Sequence, residues 1–187
     1  GFLHGGMEYP TLIYISDTLQ QESYFETIVH ETAHQWWYAV VGSDQVSHAW
    51  LDEGLTEYST VLFYEKNPGY QKTRDEMIKQ TLNSYKFFVD IFEQIAGNVD
   101  TSMNRAVNEF SSEHEYIYMT YVKGELMYDS LRTNIGYDKF IKGLKRYYKD
   151  NCFRHATPQT QIAAFERASG TELNSFFNSW LEGKAII

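Results

Sequence analysis

The chain has 187 residues, 43% of them hydrophobic, with 12 Phe, 15 Tyr and 4 Trp, enough to bury a sizeable core and too apolar for a disordered class. Its formal net charge of −9, with no long Lys/Arg cluster, excludes a phosphate-tracking footprint, so no nucleic acid is expected as a partner. No apolar run approaches the length of a membrane span, and none is expected.

The opening, "GFLHGGMEYP", has neither an initiator Met nor a basic-then-apolar leader, so the chain reads as a piece of a longer protein whose localisation it does not report. "YPTLIYIS" is rich in β-branched and aromatic residues and begins at a proline, which predicts one strand near a sheet edge. Phe25, Ile28, Val29, Ala33, Trp36, Trp37 and Val40 recur at three and four, which predicts a helix over 20–41 with one broad buried face and His30 and His34 beside it. Gly42, Ser43 and Asp44 end that helix. A second begins at 51–52 and runs to the Asn67-Pro68-Gly69 stop.

Further helices are expected over 70–96, 113–134, 137–150, 158–169 and 172–182, with Gly136 and Gly170 as C-terminal glycines and Thr157-Pro158 as a helix start. The polar stretch 97–112 reads as a functional loop. Cys152 stands alone, which excludes an internal disulfide and a thiolate metal site; it reads as a small buried hydrophobe. The expectation is a single α+β unit, mainly α-helical, with 1–19 a remnant of a sheet subdomain and 20–187 the helical portion.

The chemistry centres on "HETAH". Residues four apart share one helix face, so His30 and His34 can offer two ring nitrogens to one metal, with Glu31 projecting beside it as a base for bound water. The same pattern also fits a helix with two satisfied polar histidines. A catalytic zinc wants a third protein ligand from another element, and Glu53, which opens the second helix in "WLDEGLTEY", supplies it. Glu57, one turn later, can take the free ring N–H of a ligating histidine or simply face water. His4, His48, His114 and His155 have no ligand partner at suitable spacing and read as surface or satisfied histidines.

Taken in order, "GGMEYP", "HETAHQWW" and "WLDEGLTEYS" resemble the M1 family of zinc aminopeptidases, gluzincins with a thermolysin-like catalytic domain. "TYVKGELMYDSLR" is similar to the family's Tyr-x-Lys-Gly segment, and "ASGTELNSFFNSWLEG" to the end of its catalytic domain. The resemblance implies a thermolysin-like fold with a truncated sheet subdomain, and one Zn2+ held by His30, His34 and Glu53. It makes Glu31 the general base and Tyr121 the hydroxyl that steadies the oxyanion. It gives Glu8 the free α-amino group of the substrate, and Gly5, Gly6 and Met7 its backbone. The implied partner is a peptide with a free N-terminus, and the family's flanking domains lie outside this chain.

Tyr116 could hydrogen-bond near the oxyanion, but core packing is the expectation for it. Two positions depart from the commoner family pattern: Tyr9 follows the Met-Glu pair, as in bacterial members, and Asp52 precedes the zinc glutamate. Two other readings compete. A thermolysin-like endopeptidase shares the metal residues but has no use for Glu8, and a non-catalytic peptide-binding scaffold keeps only the fold.

Overall fold

The computed structural model describes residues 5–187; His4 lies outside the described residues. The chain begins with an antiparallel pair, β1 (Gly6–Met7) against β2 (Tyr14–Ile15), in the register Gly6 to Ile15 and Met7 to Tyr14. The strand expected over "YPTLIYIS" thus shrinks to two residues. Pro10 has no N–H for a ladder, Thr11 takes φ 66°, and the Leu12 N–H donates to the Tyr9 carbonyl at 2.9 Å, a turn where a longer strand was expected.

Helix α1 (Gln21–Ala33) stops well before the predicted 41. The amides of Gln35 and Trp36 fall back on the Thr32 and Ala33 carbonyls at 3.1 and 2.9 Å, and Tyr38 reverses the chain at φ 126°. Trp36, Trp37 and Val40 therefore belong to a turn that continues the apolar spacing without the helix. Nor is the apolar face deeply buried. Phe25, Ile28 and Val29 are half-buried and, with Trp36, Trp37 and Phe63, line an open apolar groove of about 440 Å3; the buried residue of α1 is Glu31.

A short parallel pair, β3 (Val41–Gly42) with β4 (Arg154–His155), ties this turn to the C-terminal half. A 3-10 turn, Ala49–Leu51, then leads into α2 (Glu53–Lys66), whose first amide donates to the Asp52 side chain at 3.0 Å. Helix α3 (Arg74–Ala96) starts at a Thr73/Glu76 capping box, later than the predicted 70. The single helix expected over 113–134 is α4 (Glu113–Ile117), a π-helical turn (Tyr118–Val122) and α5 (Lys123–Ile135). Such turns widen the helix and redirect side chains, and this one carries Tyr121.

The remaining helices are α6 (Tyr137–Asn151), α7 (Pro158–Ser169) and α8 (Asn174–Leu181), with Gly136 and Gly170 at φ +85° and +72° closing α5 and α7. The core gathers Trp50, Tyr58, Tyr128, Phe140, Phe165 and Phe177, all fully buried. One close crossing positions the site. A Cβ on Gly54 would lie 2.8 Å from the Gly124 Cα, so the first turn of α2, with Glu53, is pressed against the start of α5 just beyond Tyr121.

The stretch 97–112 serves as scaffold rather than as a cleft loop: Met103 is buried, Arg105 pairs with Glu115 at 2.8 Å, and the Lys123 ammonium donates to the Thr101 carbonyl. None of these residues lines the cleft described next. Cys152 is half-buried, not buried as expected, because it follows the last turn of α6.

Candidate active site

His30 sits in the last turn of α1 and His34 one residue beyond its end, still in right-handed helical conformation at φ −60°, so the i, i+4 relation survives the break. The turn that follows brings the Trp37 carbonyl to 3.0 Å from His34 Nδ1, and Thr56 Oγ1 lies at 3.3 Å. A carbonyl only accepts, so Nδ1 carries the proton and the Nε2 lone pair is left free. That lone pair points at His30 Nε2, 3.0 Å away, and at Glu53 Oε2, 3.1 Å away; His30 Nε2 to Glu53 Oε2 closes the triangle at 3.4 Å.

Three acceptors so close repel one another unless a cation or proton lies between them. Ligands at tetrahedral angles about a zinc are spaced about 3.4 Å apart, so the triangle fits one face of such a site. Without a metal, protons take that place. Burial disfavours a charged His30, but Glu57 and Glu53 outweigh it and hold the ring well above its ordinary range; His34 is raised for a like reason. Glu53, which burial alone would raise, is held low by hydrogen bonds from the two rings.

Glu57 Oε1 lies 3.2 Å from His30 Nδ1, an ion-pair contact whose alignment falls short of a hydrogen bond. Glu31 is 5% exposed and its Oε2 has no hydrogen-bond partner among the described residues. Burial pushes its carboxyl up to about 7, against the pull of His30 and His34. Above it passes β1, where a Cβ on Gly6 would come within 2.1 Å of Glu31 Oε1, so only glycine lets the strand lie this close.

The Tyr121 ring stacks on His30 with centroids 6.0 Å apart, and burial, then the negative charge of Glu53, push its hydroxyl well above the ordinary range. It keeps its proton and can donate. Glu8, 7% exposed, has a carboxylate oxygen within 4.8 Å of ligand atoms on Glu31 and His34. Gly5, Gly6, Met7, Glu8, His30, Glu31, His34, Glu53 and Tyr121 line one cavity of about 550 Å3. Glu57 lines an adjoining lobe of about 510 Å3 that shares Gly6, His30, Glu31 and Tyr121 with the first.

Two residues enter the site that sequence reasoning did not assign to it. Tyr116, expected in the core, lines the cavity with its ring 5.8 Å from that of Tyr121, because the π-helical turn brings both to the same side. Gln45 donates through one nitrogen to Glu8 Oε1 at 2.9 Å and to Asp52 Oδ2 at 2.8 Å. Burial, then Glu53, push Asp52 upward. Nothing local to "GSDQVS" marks this glutamine; only the folded contact finds it. His48, by contrast, is satisfied by Asn104 at 3.0 Å, and His114 and His155 are exposed.

The sequence profile of the peptidase family M1 domain matches residues 2–180. The chain belongs to peptidase family M1. Among the curated M1 relatives it resembles are aminopeptidase N of Streptomyces lividans, 25% identical over 166 residues covering 86% of this chain, and aminopeptidase M1 of Arabidopsis thaliana, 25% identical over 159 residues covering 84%. The match spans only 18% and 17% of those relatives' lengths. Solved M1 folds agree: a zinc metallopeptidase from Deinococcus radiodurans superposes at TM-score 0.76 with 21% identity, over 97% of this chain and 38% of that one. Legionella pneumophila aminopeptidase A superposes at 0.66 with 22% identity, over 96% of this chain and 20% of that one. No described helix is long and apolar enough to cross a membrane.

Proposed function

We propose that this chain is the catalytic portion of a zinc-dependent aminopeptidase, with 20–187 its helical part, 1–19 part of a sheet subdomain, and one zinc per chain on His30, His34 and Glu53. The observation that carries the reading is the triangle of His30 Nε2, His34 Nε2 and Glu53 Oε2 at 3.0–3.4 Å, with a buried carboxyl, a half-buried tyrosine and a second buried carboxylate in the same cavity. Zinc bound there supplies a Lewis acid and lowers the pKa of water to about 7.

The chain's own groups do the rest. Glu31 takes a proton from the attacking water and delivers it to the departing amine, a role suited to a carboxyl whose proton affinity burial has raised. Tyr121 donates to the scissile carbonyl oxygen as it gains charge, a contribution of about 3–4 kcal/mol for donors of this kind. Glu57 orients His30. Glu8 pairs with the substrate ammonium, and Gln45 holds Glu8 in place, so the distance from Glu8 to Glu31 selects the first peptide bond. Gly6 lets β1 lie directly against Glu31, and the substrate backbone runs along Gly5, Gly6 and Met7.

The test is zinc stoichiometry together with hydrolysis of aminoacyl reporters, free and N-acetylated, on the protein and on Glu31→Gln. One zinc per chain, cleavage of free amines only, and a loss of turnover approaching ten thousandfold with zinc retained support the reading. Equal cleavage of acetylated substrates points instead to an endopeptidase. Zinc bound with every substrate untouched points to a scaffold.

A further inference from the structure

The second lobe of the cleft is rich in carboxyl groups, with His30, 3.2 Å from Glu57, the basic group among its lining residues. Its walls carry Glu26, Glu57 and Glu125 with Met77, Thr81 and Ser84, and no Lys or Arg is among its lining residues. Glu26 is neutralised by Lys72, which also holds Glu22. Glu125 takes part in no ion pair among the described residues. It is 6% exposed, its Oε1 accepts from Thr81 Oγ1 at 2.8 Å, and its Oε2 takes no hydrogen bond among the described residues.

The arginines on α3 and α5, the helices that carry Thr81 and Glu125, are spent elsewhere. Arg132 forks onto Glu65 at 2.7 and 2.8 Å, and Arg74 forks onto Asp129 at 2.7 and 2.9 Å. Burial, and then the charge of Glu57, push the Glu125 carboxyl well above the carboxylate range, as befits an acidic lobe without a cation. A carboxyl buried beside other carboxyls, on the wall of an open cavity, holds its proton until something positive enters to stabilise the charged form.

The direction of the peptide follows from Glu8. With the free amine held at Glu8 in the first lobe, and Glu31 and Tyr121 at the junction, the residue after the cleaved bond extends into the second lobe. Met77, Ile117 and Val122 give that lobe an apolar side suited to a methylene stem.

We propose that this lobe is a cation subsite, built by Glu125 and Glu57, that selects peptides with arginine or lysine as their second residue. The inference rests on the aminopeptidase reading. A guanidinium there pairs with both carboxylates, a neutral side chain of the same shape leaves Glu125 without a cation, and an acidic one meets repulsion.

The test compares Leu-Arg-Ala, Leu-citrulline-Ala and Leu-Glu-Ala on the zinc-loaded protein, citrulline having the shape of arginine without its charge. The expected result is a kcat/KM for the arginine peptide about tenfold above the citrulline peptide, with the glutamate peptide lowest, and a gap that narrows at high salt. Calorimetric titration of the three peptides into Glu31→Gln should give Kd values in the same order without relying on turnover. In Glu125→Gln the arginine-to-citrulline ratio, taken within the variant, should fall towards one. Should that variant not fold, the comparison on the unaltered chain still decides.

Equal kcat/KM and Kd for arginine and citrulline, with both cleaved, overturn the subsite and leave the aminopeptidase standing. Failure to cleave or bind any free-amine peptide overturns both.

Discussion

Two interiors lie side by side in this molecule. Where α1 ends and α2 begins, the buried residues are Glu8, Glu31, His34, Asp52 and Glu53; where α6 and α7 meet α2 and α8, they are Tyr58, Phe140, Tyr147, Phe165 and Phe177. The first interior leaves Glu31 Oε2 unpartnered and turns lone pairs towards one another. The second pairs hydroxyls internally, Tyr58 on Asp129 at 3.0 Å and Tyr128 on Gln161 Oε1 at 2.9 Å, with Gln161 Nε2 and Trp50 Nε1 left without partners among the described residues. Buried polar groups without partners cost stability, whereas packed aromatics supply it, so the first region is shaped for a ligand and the second for the fold.

That contrast separates stability from chemistry, and the substitution with the largest expected effect lies in the second region. Phe165→Ala should lower the unfolding free energy by about 3–5 kcal/mol, read from the urea midpoint, because Phe165 packs against Gly143 so closely that a Cβ there would lie 2.3 Å from its ring. The zinc affinity of the folded fraction should not change; a parallel loss of metal would mean that the two interiors are coupled.

Tyr121→Phe should do the reverse. Turnover should fall by about a hundredfold to a thousandfold while zinc content and the urea midpoint hold, and an unchanged rate would remove the hydroxyl from the chemistry.

Lys123, fully buried in the first turn of α5, has its ammonium lowered to about 8 by burial. Between about 8 and the ordinary lysine value of about 10.4 the unfolded chain holds a proton that the folded chain has released, so stability should rise with pH across that window. The gain should approach about 2–3 kcal/mol and be absent from Lys123→Met; matching slopes in the two proteins would refute the shift. Smallest of the set, Glu57→Gln should weaken zinc binding by about tenfold to a hundredfold, measured by chelator competition, with little change in the denaturation midpoint.

How far these regions can be read from sequence differs by element. Helix α7 begins at Pro158 and ends at Ser169 as its proline and glycine signals predict, because capping is local chemistry. Helix α1 ends early for a reason periodicity cannot register: apolar spacing continues through Trp36 and Trp37 while the backbone turns at Tyr38. The hairpin partner Gly6–Met7 is two residues long and held against α1, too short for any pattern to mark. Tyr116, for which core packing is the expectation, lies beside Tyr121 because of a π-helical turn that no local pattern marks.

What the sequence determined by itself is the set of chemical groups and their local spacing: His30 and His34 one helical turn apart, Glu31 between them, Glu53 at a helix start, and the segments that mark the M1 family. These are properties of neighbours along the chain, fixed by helix geometry and capping. The tertiary structure alone decided that three lone pairs converge at 3.0–3.4 Å, that Trp37 sets the His34 tautomer, that Gln45 holds Glu8, and that Glu125 lines the second lobe without a cation. Each depends on how elements far apart in the chain cross, above all on the contact of Gly54 with Gly124, and a crossing is set by the packing of whole helices rather than by any local run of residues.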